Sequence, residues 1–316
     1  MSARKAAAKK AAPKKAPSKK AAPKTRIQRS GGGHSYFLDG ERVPGVTTIL
    51  GNGIPKPALI GWAANTVADT VANGLTVATT EDGRKRIVAD ELVTELLEWN
   101  ATRGYQAVKV GSETLPRLAL AKILSSVRYR DVDAASKRGT EVHGLAEKLA
   151  RGEEVEVPEE LRGHVDSYVQ FLDEWNPTEA LVERVVVNRR WGYMGKLDMI
   201  ASFPGYGVGL VDLKTSRSGV FAEVGLQLAA YAHAETMLDG VDEDGEVIEL
   251  PMPKVDWCGA VWVRADGYDV YRMDVTDKTF RTFLYAKHVG EWLDFKEGPA
   301  ASIKSESLPP PRRSNA

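Results

Sequence analysis

The chain has 316 residues, of which 43% are hydrophobic, and its 43 basic and 43 acidic residues give no net formal charge. This length and composition are enough to build a large core, as one domain or two. Cys258 is the only cysteine, which excludes an intrachain disulfide and any zinc or iron–sulfur site built from several cysteines of one chain.

Neither a membrane-spanning segment nor a secretory signal is visible. No apolar run approaches the ~20 residues that a membrane-spanning helix needs. The N-terminus is basic, but no apolar segment follows it. We therefore expect a cytoplasmic protein that has no membrane partner.

The basic residues are concentrated at the N-terminus. Residues 1–30 hold eleven Lys or Arg and no acid, which leaves 32 basic against 43 acidic residues in the rest of the chain. Proline recurs and like charges repel, so 1–30 is predicted to be a disordered tail. Its paired lysines are candidate phosphate contacts for DNA: Lys9, Lys10, Lys14, Lys15, Lys19 and Lys20. The alternative is a solubilising tail. If the tail binds DNA, its removal should weaken binding and flatten the salt dependence.

Residues 31–176 are predicted to form a mainly helical region. Alternating apolar residues after His34 indicate a hairpin that turns at Asp39-Gly40. Helical periodicity then predicts five helices, at 57–74, 90–104, 115–127, 132–152 and 158–175.

Residues 177–297 are predicted to form an α/β core, followed by a loose tail at 298–316. Apolar patterns predict strands at 180–191, 192–203 and 208–216, a helix at 223–238, an acidic insertion at 239–254, a hairpin that turns at Asp266-Gly267 and a last helix at 277–295. This order indicates a mixed sheet flanked by helices.

Asp198, Asp212 and Lys214 stand out because they interrupt apolar strands. If the strands around the turn at 203–207 pair antiparallel, both carboxylates and the lysine can face one spot. Converging carboxylates repel unless a cation neutralises them, and Mg²⁺ accepts two carboxylates with a carbonyl such as that of Leu213. The alternative is an internal salt bridge between Lys214 and one aspartate.

Further polar residues surround this pattern in the sequence. Gln227 and Tyr231 are four residues apart on one predicted helix, Glu183 lies on the preceding strand and His143 lies on an upstream helix. Four short motifs follow in order: Arg138-Gly139-Thr140-Glu141-Val142-His143, Gly195-Lys196-Leu197-Asp198, Asp212-Leu213-Lys214 and Gln227-Leu228-Ala229-Ala230-Tyr231. With these motifs, residues 34 to 295 resemble the PD-(D/E)XK nucleases, in particular their RecB-like and phage exonuclease branch.

The resemblance implies a restriction-endonuclease-like α/β fold and a Mg²⁺-dependent deoxyribonuclease in which Mn²⁺ can substitute. It implies metal ligands at His143, Asp198, Asp212 and the Leu213 carbonyl. Lys214 would position the attacking water, while Gln227 and Tyr231 would organise the site or touch DNA. Glu183 would hydrogen-bond a ligand or a metal-held water. The related CRISPR adaptation nuclease carries an iron–sulfur cluster, which one cysteine cannot form.

An exonuclease acting in phage or bacterial recombination, repair or replication is the expected function. DNA is the expected substrate, and a single-strand annealing or recombination protein is a candidate partner in the host cytoplasm. Two alternatives remain, a non-catalytic DNA-binding or packaging protein and a structure-specific endonuclease of the same superfamily. The sequence leaves the oligomeric state open.

A basic pair beside a tryptophan is a further candidate DNA contact. Arg189 and Arg190 could bind phosphate or merely solvate the end of a strand. Trp191, which follows them, is the one tryptophan that we consider a candidate for DNA contact, the alternative being a core position such as we expect for most of the others.

Overall fold

A computed structural model describes residues 25–30, 33–79, 85–89, 117–242 and 247–293 as a mixed α/β protein. The helices are α1 (Val46–Gly53), α2 (Pro57–Gly74), α3 (Arg117–Ala150), α4 (Arg162–Trp175), α5 (Glu223–Ala232) and α6 (Asp277–Trp292). The strands are β1 (Arg26–Ser30), β2 (Gly33–Leu38), β3 (Glu41–Val43), β4 (Leu75–Thr79), β5 (Lys85–Ala89), β6 (Thr178–Val182), β7 (Val185–Asn188), β8 (Tyr193–Lys196), β9 (Met199–Phe203), β10 (Gly207–Lys214), β11 (Thr236–Val241), β12 (Val247–Pro251), β13 (Trp257–Arg264) and β14 (Gly267–Met273). No helix in these ranges is both long and apolar enough to cross a membrane.

A five-stranded sheet in the order β14-β13-β10-β9-β6 forms the centre of the fold. β10 pairs antiparallel with β9 and parallel with β13, so the sheet is mixed, as predicted. The parallel pair requires the chain to cross over between β10 and β13, and α5 together with the β11–β12 hairpin forms this connection.

Helices cover both faces of this sheet. On one face α1, α5 and α6 pack against the strands through side chains such as Ile49, Leu228 and Phe283. On the other face α3 and α4 contribute Ala146 and Phe171. Helices from the predicted N-terminal region therefore complete the core of the predicted α/β region.

A second, four-stranded sheet, in the order β12-β11-β7-β8, branches from the central sheet. The chain passes between the two sheets from β6 to β7 and again from β8 to β9, and we call this branch point the fork. The segments 180–191 and 192–203, each predicted as one strand, are each split into two strands, so those two predictions are wrong in their boundaries. At the fork, Glu183 N–H donates to the Asp198 carbonyl at 2.9 Å and Leu197 N–H donates to the Arg184 carbonyl at 2.9 Å. Glu183 has a left-handed backbone with φ of 57°, which lets the chain change sheets there.

Both predicted hairpins are present. β2 and β3 turn at Asp39-Gly40, whose φ angles of 52° and 95° are those that Asp and Gly tolerate best. β13 and β14 turn immediately before Gly267.

Four predicted boundaries differ from the structure. The helix predicted at 223–238 ends at Ala232, because Thr236 and Met237 pair with β7 instead. The acidic segment after it contributes β12, and the helices predicted at 115–127 and 132–152 are one helix, α3. β4 and β5 form a hairpin inside the region predicted to be helical.

The predicted tail also overlaps a strand, because Arg26–Ser30 pairs with β2 as β1. Ile27 and its neighbours pair with β2 in a short hairpin, and this pairing outweighs the repulsion between the basic residues of the segment. The helix predicted at 90–104 and the tail predicted at 298–316 lie outside the described residues.

Candidate active site

Three potential metal ligands converge where the two sheets fork. His143 on α3, Glu183 after β6 and Asp198 before β9 each offer one ligand atom, and these atoms all lie within 4.8 Å of one another. Asp198 and Glu183 are brought together by the backbone pairing at the fork, and His143 reaches them from the helix that covers this face.

The Asp198 side chain is held against the end of β10. Its Oδ2 accepts a hydrogen bond from the Leu213 N–H at 2.7 Å and lies 3.7 Å from His143 Nδ1. The N–H and C=O groups of one strand residue point to the same side of the strand, so the Leu213 carbonyl lies on the edge that faces Asp198. Coordination of a metal by the Leu213 carbonyl stays a prediction.

A second polar network lies beside the triad under α5. Asp212 is 1% exposed, and its Oδ1 accepts a hydrogen bond from Gln227 Nε2 at 2.7 Å. Lys214 forms an ion pair with Asp212 Oδ2 and donates to Gln227 Oε1 at 3.2 Å. Gln227 Nε2 also donates to the Tyr231 hydroxyl at 3.2 Å. All four of these residues were predicted site residues, and the structure places them in contact.

The grouping of the acids differs from the predicted one. Asp212 was predicted to share the metal with His143 and Asp198, but the triad contains Glu183 in its place, and Asp212 is engaged by Lys214 and Gln227. The reason is the fork, since the left-handed backbone of Glu183 brings its side chain toward Asp198. Lys196, to which no role was assigned, forms an ion pair with Glu183.

Burial and neighbouring charges shift the pKa values of the site residues. Burial raises the pKa of Asp198 well above its ordinary value, and the Asp212 carboxylate raises it further. Burial lowers the pKa of His143 despite the opposing effect of Asp212. Burial alone would lower the pKa of Lys214, but Asp212 outweighs it and the net pKa is raised. The pKa of the Tyr231 hydroxyl is also well above its usual range because of burial and the same two aspartates.

Two buried carboxylate oxygens are poorly satisfied by the protein. Asp212 Oδ2 and Glu183 Oε2 lie against the Lys214 and Lys196 ammonium groups, but neither receives a hydrogen bond of normal geometry from the described residues. Each oxygen therefore depends on one ammonium group for its neutralisation. Separately, the two carboxylates and one imidazole of the triad, with ligand atoms within 4.8 Å of one another, form a donor set that fits a divalent cation.

A small cavity adjoins the triad. It is lined by His143, Glu183, Asp198 and the rings of Tyr168 and Phe171, and its volume is about 20 Å³. This is room for about one water molecule or one ion. Carboxylate oxygens suit Mg²⁺ and Mn²⁺, and an imidazole ligand suits transition metals.

The motif glycines allow close packing around the site. A Cβ atom on Gly195 would lie 2.6 Å from the Tyr231 ring and 2.9 Å from Val46, so only glycine lets α1 and α5 approach β8 here. A Cβ atom on Gly139 would lie 3.3 Å from Thr215 Oγ1, just beyond β10. Close packing therefore explains why glycine occupies these two motif positions.

The predicted DNA contacts at 189–191 have internal partners. Arg189 donates to both Glu249 oxygens at 2.7 and 2.6 Å and reaches Asp39 at 3.4 Å, and these contacts raise its pKa. The Arg190 guanidinium lies 5.4 Å from the centre of the half-buried Trp191 ring. Contact of Arg189 with DNA stays a prediction that would require its ion pair with Glu249 to open.

The six predicted tail contacts, Lys9, Lys10, Lys14, Lys15, Lys19 and Lys20, lie outside the described residues.

No known protein-family profile matches the chain, and no curated protein matches it in sequence. One solved structure, that of SSO0001, aligns with 74% of this chain and 85% of its own, at 11% identity and a TM-score of 0.25. At that score the likeness supports no conclusion about fold or function.

Proposed function

We propose that the protein is a divalent-cation-dependent DNA nuclease of the PD-(D/E)XK superfamily, of its RecB-like branch. The observation that carries this proposal is the meeting of four separate sequence motifs at the end of β10. His143, Asp198 and Lys214 lie on three different elements, and each contacts another motif residue or a shared partner.

The architecture supports a restriction-endonuclease-like core. The sheet order β6-β9-β10-β13, with the parallel pair β10–β13 connected through α5, forms a mixed sheet with helices on both faces. This is the arrangement that the resemblance implies. The candidate site lies at its centre, between Asp212 on β10 and Asp198, which immediately precedes β9.

The residues divide into two sets with different tasks. His143, Glu183 and Asp198 would hold the cation, with Asp212 and the Leu213 carbonyl beside them. When bound, Mg²⁺ or Mn²⁺ supplies Lewis acidity toward a phosphate oxygen. Lys214 presents a fixed ammonium group that can position the attacking water and stabilise negative charge as it develops on the phosphate.

Gln227 and Tyr231 act through their neighbours. The Gln227 amide bonds Asp212, Lys214 and the Tyr231 hydroxyl at once, so it fixes the relative orientation of the acid and the ammonium group. Because catalysis depends on the geometry of the acting groups, Gln227 is a positioning residue in this proposal.

The test is hydrolysis of end-labelled linear DNA and closed circular DNA in Mg²⁺ or Mn²⁺. We expect degradation of the linear DNA from its ends, and a loss of at least about 100-fold in Lys214→Ala and Asp198→Asn. Asp173→Asn, an exposed carboxylate on α4, is the matched control and should retain full activity.

Each other outcome identifies an alternative. Cleavage of circles indicates an endonuclease of the same superfamily. DNA binding without any cleavage by the parent protein indicates a non-catalytic binding or packaging protein. Equal activity of the parent and of Lys214→Ala contradicts the proposed site even if DNA is cleaved.

A further inference from the structure

An aromatic surface continues from the candidate site across the same face of the central sheet. In the parallel pairing of β10 with β13, Lys214 lies opposite Trp262, and residues opposite each other in a sheet share a face. On β14, Tyr271 pairs with Ala260 on that same face, and its ring centroid is 6.4 Å from that of Trp262. We call Trp262 and Tyr271 the aromatic platform.

The platform is open to solvent and held in place. Tyr271 is 44% exposed, and Trp262 is partly exposed. The Trp262 indole N–H donates to the Ser216 carbonyl at 2.7 Å, and the Arg264 guanidinium lies 4.1 Å from its ring centre. By contrast, Trp191, the candidate DNA contact from the sequence, packs against the apolar core.

Two basic side chains adjoin the platform. Lys214 lies on one side, and Arg264 lies on the ring of Trp262. Arg264 is partly neutralised by Asp269 at 2.7 Å and Asp266 at 3.4 Å, so the net field is modest and the rings supply most of the binding surface.

We propose that the aromatic platform binds a single-stranded segment of DNA, with bases stacked on Tyr271 and Trp262 and the backbone directed toward Lys214. This inference rests on the proposed nuclease function, because it names the substrate that the site receives. Aromatic rings stack on any unpaired base, which makes such surfaces tolerant of sequence. Bases in a duplex already stack on one another, so the platform selects a single strand or a frayed end.

The test measures binding without cleavage. The full chain, in EDTA, is titrated into a fluorescein-labelled oligothymidylate, an abasic oligomer of the same length and a blunt duplex, each at several salt concentrations. Tyr271→Ala should weaken binding of the oligothymidylate by at least about five-fold. Tyr271→Phe keeps the ring and should bind as the parent protein does.

Tyr206→Ala is the matched control. Tyr206 is 61% exposed in the turn before β10, about 25 Å along the strand from Lys214. It should bind all three probes as the parent does. Tyr271→Ala should also lose the preference for thymidylate over the abasic oligomer, by the same factor at every salt concentration, since stacking involves no counterion release.

Equal affinity of Tyr271→Ala and the parent for oligothymidylate would overturn the platform, as would failure of the parent to bind this probe. Neither result depends on a metal ion or on hydrolysis. A protein that binds single strands through Tyr271 but cleaves nothing would retain the platform and contradict the nuclease proposal instead.

Discussion

Gln227 donates a hydrogen bond from Nε2 to Oδ1 of Asp212 at 2.7 Å, and so joins α5 to the buried end of β10. The carboxylate it holds is almost wholly shielded from water. Two elements that are separate in sequence are thus connected by one side chain at the candidate site.

Loss of this amide should destabilise the fold. Gln227→Leu leaves Oδ1 of the buried Asp212 carboxylate without its donor, and we expect a loss of about 1–3 kcal/mol in the free energy of unfolding. Urea unfolding measures it. Gln170→Leu removes a similar amide that donates to Glu174 on the exposed face of α4, and should cost less than about 0.5 kcal/mol. Equal losses in the two variants would show that the Gln227 contact contributes nothing specific.

Asp198 is expected to destabilise the metal-free fold and to stabilise the fold when a cation is bound. Without metal, Asp198→Asn removes one of several crowded acids while an amide oxygen can still accept from the Leu213 N–H, so we expect a gain of about 1 kcal/mol. Mn²⁺ at 100 times its Kd should stabilise the parent by about 2.7 kcal/mol. It should stabilise the variant far less.

Urea unfolding with and without Mn²⁺ gives both numbers, and Asp173→Asn should respond to Mn²⁺ as the parent does. A full response to Mn²⁺ in Asp198→Asn would place the cation elsewhere.

Gly195 should not accept a side chain. Gly195→Ala forces a methyl group to within 2.6 Å of the Tyr231 ring, and we expect a loss of about 1–3 kcal/mol from overpacking. Gly61→Ala, in α2 where nothing lies within 4 Å of the new atom, should gain about 0.5–1 kcal/mol. Thermal unfolding compares the two, and an unchanged midpoint for Gly195→Ala would contradict the packing described here.

The Arg189–Glu249 ion pair should stabilise the fold at neutral pH and should lose this contribution in acid. Hydrogen bonds from Arg189 lower the pKa of Glu249 below its ordinary 4.5. The contribution is therefore present above pH 4.5 and is lost as the pH falls through the lower folded value. Both groups are partly exposed, so Glu249→Gln should cost about 1 kcal/mol or less at pH 7. Urea unfolding at pH 7 and at pH 3 should show this difference shrinking; a constant difference would assign the effect to packing.

Local chemistry explains which elements could be predicted from the sequence. Asp39-Gly40 and Asp266-Gly267 specify turns by themselves, and the short apolar run of β10, bounded by a Gly-rich turn, is typical of a buried strand. The strand at Thr236–Val241 follows an alanine-rich helical pattern and forms because β7 and β12 pair with it. Such pairing depends on residues far away in the sequence.

The same distinction applies to the candidate site. Asp198, Asp212 and Lys214 are visible as charges on apolar strands. The place of Glu183 beside His143 depends on a left-handed residue at a fork between two sheets, which no local pattern in the sequence marks. Trp262 likewise gains its position from the parallel register of β10 and β13.

The central claim is that one divalent cation is held by His143, Glu183 and Asp198. Crystals soaked in Mn²⁺ and measured at the manganese absorption edge test it most directly. The account predicts an anomalous peak within about 2.3 Å of ligand atoms from these three side chains. A bound Mn²⁺ that touches none of them, or no bound ion at saturating Mn²⁺, would contradict it.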